Sequence, residues 1–291
     1  MKIGITIPTM IPNTGGDVLM EWARRADAGP FSSVAVGERI TYPNFDMTVT
    51  LAAAAAVTRR VRLVSTVTVL PLHSAALVAK QAASIDALSG GRLTLGVGIG
   101  GREEDCLAVG TSVERRHQRM EEQVATMRRI WRGEPPFPGA QPIGPRPVQD
   151  GGPEILVGAI FPGAIQRVMR WADGLSAWSF EPNVEVIRQT YQIAEDAWRA
   201  AGRRGRPRFV MGCYYALGPR ADEYLDAALM HYHAYFGADI AAEIVKSVST
   251  KTPQSIRDAL RALADIGTDE MILVPVASDI DQLERLADLI G

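Results

Sequence analysis

The 291-residue sequence predicts an α/β fold: a (β/α)8 TIM barrel with loop insertions, in one domain over residues 1–291. Three observations predict it. The first is the unit 63–101, LVSTVTVLPLHSAALVAKQAASIDALSGGRLTLGVGIGG, in which two apolar, β-branched runs (63–69 and 93–97) flank an Ala-, Leu-, Lys- and Gln-rich helical segment. The second is that these strands are apolar on both faces, as happens when helices cover both sides of a parallel sheet. The third is that strand and helix alternate along the whole chain, giving eight strands and at least eight helices. A doubly wound open sheet is the rival topology. It would leave an edge strand with polar alternation, which the sequence lacks.

The elements follow in order. Residues 3–7 form a strand ending at Pro8-Thr9, and a helix over about 17–28 has Asp17 as its N-cap. Residues 33–36 form the second strand, ending at Gly37-Glu38-Arg39, and Asp46 caps an Ala-rich helix through Arg59. After the 63–101 unit, a polar segment (102–114) leads to a helix over 115–132. Its Met120, Val124, Met127 and Trp131 fall on one stripe. Residues 133–153 hold seven prolines and five glycines and resemble a linker, but a long surface loop fits better because the alternation resumes unchanged. Strands at 154–157, 175–178 and 208–216 are separated by helices at 163–172 and 184–201. A helix begins near Asp222, and 237–251 is irregular or a short extra helix. Pro253 at N1 after Thr252 starts a helix to Ile266. Residues 270–276 are the eighth strand, and Ile280, Leu283, Leu286 and Ile290 mark a closing helix.

Lys plus Arg total 31 against 33 Asp plus Glu, a net charge of -2, so no basic field draws in nucleic acid. Cys106 and Cys213 are too few for a disulfide framework and imply a reduced, cytoplasmic protein. The N-terminus reads as a strand and not as a secretory signal, and no apolar run is long enough to span a bilayer.

Sites in such barrels lie at the C-terminal ends of the strands. That rule selects Thr6 and Pro8, Glu38 and Arg39, Thr68 and Leu70, Gly98 to Gly101, Gly158 to Gly163, Trp178 and Ser179, Tyr214 and Tyr215, and Pro275. Both glycine runs suit a phosphate, although tight βα turns alone would also account for them. Neither GxGxxG nor GxxxxGK[ST] is present. Glu38 is the best-placed carboxylate, able to accept a ligand hydrogen bond or move a proton; an ion pair with Arg39 is the structural alternative. His73 faces the expected site or caps a turn. His231 and His233, two apart, sit on different helix faces, which argues against a two-histidine metal site. Trp178, Tyr214 and Tyr215 line an aromatic pocket or fill core. With no Ser-His-Asp order, GxSxG elbow or clustered metal ligands, a bound cofactor is expected to carry the chemistry.

The runs VLPLHSAALVAKQAASIDALSGGRLTLGVGIGGREED, GERI and PEILVGAIFPGAIQRVMRWADG, with the closing strand and helix, resemble the bacterial luciferase-like superfamily of flavin- and deazaflavin-dependent oxidoreductases. The resemblance covers essentially the whole chain. It implies a barrel with a cofactor at its C-terminal mouth, in a homodimer or higher homo-oligomer acting on a small-molecule substrate, without nucleic acid or membrane partners. The chain is similar to the branch that uses the deazaflavin coenzyme F-420, which includes methylenetetrahydromethanopterin reductases; FMN is the alternative cofactor. By position, the resemblance places a strand-three bulge near Val67-Thr68 and a cofactor contact at Leu70. It places phosphate-binding backbone at Ile99 and Gly100, and again at Ile160, Phe161, Gly163 and Ala164, and Gly98 and Gly101 of the same glycine run join them as candidate cofactor-binding residues. Glu38 takes the place of an aspartate that touches the ring and is the candidate catalytic residue. Thr6, Arg39, His73, Trp178 and Tyr214 are the candidate substrate-pocket residues. Arg39 and Gly101 stand where sugar-phosphate dehydrogenase relatives carry a catalytic His and Glu, which argues against sugar-phosphate oxidation. Three functions follow from the resemblance: deazaflavin-dependent hydride transfer, FMN-dependent monooxygenation with dioxygen, or a non-catalytic ligand-binding or partner subunit.

Overall fold

A computed structural model describes every residue, Met1–Gly291. Its strands are β1 (Lys2–Thr6), β2 (Ser33–Val36), β3 (Arg62–Ser65), β4 (Thr68–Val69), β5 (Leu93–Gly98), β6 (Glu154–Val157), β7 (Gly174–Trp178), β8 (Arg208–Tyr215) and β9 (Glu270–Pro275). All pairings are parallel. Neighbours in sequence are neighbours in space, and β9 pairs with β1 to close the barrel. The expected strand 63–69 is one stave in two pieces, because β3 and β4 both pair with β5 and are separated at Thr66-Val67, a cis peptide. Eight staves result, as the alternation predicts.

The surrounding helices are α1 (Gly16–Ala28), α2 (Met47–Val57), α3 (Ala75–Ser89), α4 (Glu103–Ala108), α5 (Arg116–Trp131), α6 (Pro162–Val168), α7 (Val184–Ala200), α8 (Ala221–Tyr232), α9 (Ala238–Ser247), α10 (Pro253–Asp265) and α11 (Ile280–Ile290). Asp46 caps α2 by accepting from the Val49 N–H, and Thr252 with Ser255 forms a capping box on α10. Asp17 does not cap α1. Gly15 is the N-cap, and Asp17 lies inside the first turn, where its charge still suits the positive helix end. Met120, Val124, Met127 and Trp131 are all buried, as the stripe on α5 requires. No helix is long and apolar enough to cross a membrane.

The proline-rich stretch 133–153 is a surface loop fastened to the barrel. The buried Asp86 carboxylate accepts from the backbone N–H groups of Val148 and Gln149 and from the Gln149 side chain. Lys80 donates to the Gly144 carbonyl from the same helix, α3.

Inward positions recur every second residue along each stave, so the barrel interior is built in layers. At the N-terminal end the layer is ionic. Arg208 pairs with Glu154 and Glu270, and the Ser32 and Ser33 hydroxyls donate to Glu270 at 2.6 Å each. Arg62 donates to Thr94 Oγ1 across the same layer. Two residues along come Ala35, Val64, Leu156, Val210 and Ile272, an apolar plug separate from the main core between sheet and helices. One layer higher the inward residues include Thr6, Gly37, Gly158, Ser176 and Gly212, which are too small to fill the space. A cavity opens there.

Glu270 is 1% exposed and depends on Arg208 for its counter-charge. Arg208→Ala is expected to cost about 3–5 kcal/mol, because it leaves a buried carboxylate unpaired. Adding Glu270→Gln should recover part of that loss, and denaturant unfolding of the single and double variants measures both.

Candidate active site

The cavity at the C-terminal mouth has a volume of about 460 Å³, within the range of roughly 300–1,000 Å³ usual for small-molecule sites. Val210 and Ile272 of the apolar plug form its floor. Val67, Gly158, Ala159 and Ala177 give a low, apolar wall. Trp178, Phe180 and Tyr214 add aromatic rings from β7, the segment after it and β8, and a roof of Tyr232, His233, Tyr235 and Phe236 comes from the end of α8 and the turn after it.

Tyr214 and His233 form a buried pair, with the phenol oxygen 3.0 Å from His233 Nε2. Aromatic packing fixes both: Trp178 meets Tyr214 edge-on at 4.7 Å, and Phe180 meets His233 edge-on at 5.4 Å. Burial raises the Tyr214 pKa well above its ordinary value, so the phenol keeps its proton. Burial, with the positive charges of Arg102 and Arg39, lowers His233 to about 4, so the imidazole is neutral at physiological pH. The pair is therefore an uncharged store of exchangeable protons beside an apolar wall.

Glu38 sits at the end of β2 but does not pair with Arg39. Its Oε2 accepts from the Val69 N–H at 2.6 Å, and its Oε1 lies 2.8 Å from His73 Nε2. With both oxygens engaged and its side chain 3% exposed, Glu38 ties the broken stave to the following segment. Gln123 of α5 completes that tie by donating to the Leu70 and His73 carbonyls. Arg39 turns instead toward the roof, donating to the Tyr232 carbonyl at 2.9 Å.

Of the residues singled out in the sequence, Thr6, Glu38, Arg39, Val67, Ile160, Trp178 and Tyr214 line the cavity. Several others do not. Thr68 is buried against Ser65 Oγ, and Leu70 is fully buried in the core. His73 stands behind Glu38, outside the cavity lining. Tyr215 is also buried away from it, donating to the Gln282 carbonyl. Cys213, the neighbour of Tyr214 on the opposite face of β8, is buried too, and burial pushes its thiol up to about 12, so it offers no nucleophile.

Gly98, Ile99, Gly100 and Gly101, at the C-terminal end of β5, and Phe161, Gly163 and Ala164, after β6, are not among the residues that line the cavity. Because β5 and β6 are paired at Val97↔Val157, these two glycine loops leave the barrel side by side. The N–H groups of Ile99, Gly100, Gly101, Ile160 and Phe161 find no acceptor within the chain, while those of Ala164 and Ile165 both turn back to the Phe161 carbonyl. Ile160 and Phe161 are about three-quarters exposed (75% and 74%) at the mouth.

Sequence reasoning missed the roof, Tyr232, His233, Tyr235 and Phe236. The signal was the density of rings in HYHAYF (231–236), which was read only for metal-ligand spacing. His231 is exposed and His233 buried, so the two do point apart.

His73 links this geometry to stability. Burial alone would lower its pKa, but the hydrogen bond and charge of Glu38 outweigh burial and raise it above 6.5. Its contribution is therefore fully present below the ordinary value and is lost as pH rises through the raised one. The stability gap between the parent protein and Glu38→Gln should be widest below pH 6.5 and narrow as pH rises above it, as read from urea unfolding midpoints.

A closed parallel barrel with a preformed apolar cavity and two loops of free N–H groups is an architecture suited to holding a small molecule. The chain belongs to the luciferase-like monooxygenase family, whose model matches residues 1–289. It is 34% identical over 173 residues to an uncharacterized protein of Mycobacterium tuberculosis strain H37Rv, an alignment covering 57% of this chain and 60% of that relative. Among solved structures, it resembles a monooxygenase from Streptomyces bottropensis with a TM-score of 0.77 and 23% identity, over 99% of this chain and 97% of the other. It also resembles an F-420-dependent secondary alcohol dehydrogenase in complex with a coenzyme–acetone adduct. There the TM-score is 0.79 and the identity 18%, over 100% of this chain and 99% of the other.

Proposed function

We propose that this protein transfers hydride between the deazaflavin coenzyme F-420 and a small organic substrate. The observation that carries this reading is the neutral Tyr214–His233 pair facing an apolar wall, next to two loops of unpaired backbone N–H groups. Bound in this cavity, the deazaflavin would supply a carbon centre that gives or takes hydride. The chain's residues fit such a group: Val67, Gly158, Ala159 and Ala177 offer a low apolar surface to a planar ring. The free N–H groups of the two glycine loops suit a phosphate.

Hydride arriving at a carbonyl carbon leaves charge on oxygen, and a proton must meet it. Tyr214 is placed to donate that proton. His233, neutral and 3.0 Å away, orients the phenol and shares its hydrogen bond. Trp178 and Phe180 hold the pair in place, and the aromatic roof excludes water from the reacting centre. Glu38 acts at one remove, as a positioning residue that fixes the stave carrying Val67.

The likeness to a monooxygenase supports FMN with dioxygen as the second reading. Parallel fluorescence titrations with F-420 and FMN separate the two. Saturable quenching by F-420, weaker binding of FMN and no dioxygen uptake are expected; preference for FMN moves the assignment to monooxygenation, and binding of neither removes both. Once the cofactor is bound, Tyr214→Phe should lower kcat by about 10²- to 10⁴-fold while leaving the cofactor Kd unchanged. Equal losses in kcat and cofactor binding would show a structural role instead.

A further inference from the structure

Two arginines pack on the aromatic roof, Arg39 within the cavity lining and Arg102 outside it, and neither is paired with a carboxylate. Arg39 has its guanidinium carbon 4.4 Å from the centre of the Tyr42 ring, 5.1 Å from Tyr232 and 5.2 Å from Tyr235. Arg102 shares two of those rings, at 4.3 Å from Tyr235 and 5.6 Å from Tyr232. The Nε atoms of both arginines are buried with no hydrogen-bond partner, and neither side chain takes part in a salt bridge. The carboxylate whose charge reaches Arg39 is Asp105, which makes no salt bridge to it; its Oδ1 accepts from the N–H and hydroxyl of Thr41 at 2.8 and 2.6 Å.

Tyrosine faces attract a guanidinium without neutralising it or accepting its N–H groups. Two half-buried cations sharing one set of rings repel each other, and their unpaired Nε–H groups carry the cost of lost hydration. A structural role would be met more cheaply by neutral side chains or by one cation with a carboxylate. What completes the arrangement is an anion supplied from outside. Arg39 lines the cavity itself, so the anion can reach it from within.

We propose that Arg39 and Arg102 form an anion subsite in the roof, which selects substrates bearing a carboxylate or a comparable planar oxyanion. The planar fork of arginine suits such a group. The subsite rests on the oxidoreductase reading of the same cavity, and it directs the substrate's acidic end to the roof and its reacting end toward Tyr214. The charges already act within the site: Arg102 and Arg39 both contribute, after burial, to the lowered pKa of His233.

A cofactor phosphate or acidic tail shares this chemistry, so the test has to tell the two sources apart. Isothermal titration calorimetry with benzoate and its neutral analogue benzamide, with and without F-420 or FMN, provides the arms. Benzoate is expected to bind at least about 10-fold more tightly than benzamide and to weaken as salt is added. Arg39→Gln and Arg102→Gln should each weaken benzoate by about 10-fold or more while changing the F-420 or FMN Kd less than about 2-fold; Arg39→Lys should fall between. The benzamide and salt comparisons use the parent protein and stand even if a variant fails to fold. Equal binding of the two probes, no benzoate binding, or variants that keep the parent's benzoate affinity would overturn the subsite. Loss of cofactor affinity in the arginine variants would assign the charges to the cofactor and overturn it too. Benzoate binding by a chain that takes up neither cofactor would leave the subsite standing and remove the hydride-transfer reading.

Discussion

The alternation of inward and outward side chains along eight parallel staves is the constraint on which the molecule depends. It forces each stave to deliver residues at the same depths, so the interior is a stack of layers and not a mixture. The lowest layer binds the staves through Arg208, Glu154 and Glu270, and its room is tight: a β-carbon on Gly4 would lie 2.1 Å from Ser33 Oγ. The middle layer of Ala35, Val64, Leu156, Val210 and Ile272 seals that ionic cluster from the mouth. Only then does the third layer, with Gly37, Gly158, Ser176 and Gly212, leave space for a ligand. The cavity is thus an unfilled layer of the barrel, roofed by the end of α8 and the turn after it.

The broken stave shows how wall and support divide the work. Val67 enters the cavity wall, while Val69 offers its N–H to Glu38 at 2.6 Å. The first glycine loop is fitted to the same pair of valines. A β-carbon on Gly98 would come within 2.7 Å of Val67 Cγ2, and one on Gly100 within 2.5 Å of Val69 Cγ1. These two glycines are therefore required by packing whatever binds above them. Gly101, with nothing within 4 Å of such a carbon, is free to face a ligand.

The barrel was legible because its signals are local and repeated: apolar staves, amphipathic helices such as the Met120–Trp131 stripe, and caps at Asp46 and Thr252. The mouth was legible only in outline. Strand ends identify depth but not direction, so Tyr214 and Tyr215 read alike in sequence, although one lines the cavity and the other bonds to Gln282 in the core. Glu38 was found for its position, but its two partners lie 31 and 35 residues away, and no spacing rule predicts them. The ionic layer was missed for a related reason. Arg62, Glu154, Arg208 and Glu270 each open a strand, where a charged residue normally marks the solvent edge, and only barrel closure turns them inward to meet.

Charge is distributed through the site by the same economy of space. The reacting wall is neutral because Tyr214 is buried deeply enough to keep its proton and His233 is kept from gaining one. Part of that second effect comes from the arginines in the roof, so the two halves of the cavity are electrically coupled without touching through an ion pair. Glu38, the one carboxylate lining the cavity, is committed to Val69 and His73. Fixing Glu38 in the wall therefore does two things at once. It braces the stave that shapes the cavity, and it holds both carboxylate oxygens on partners within the chain.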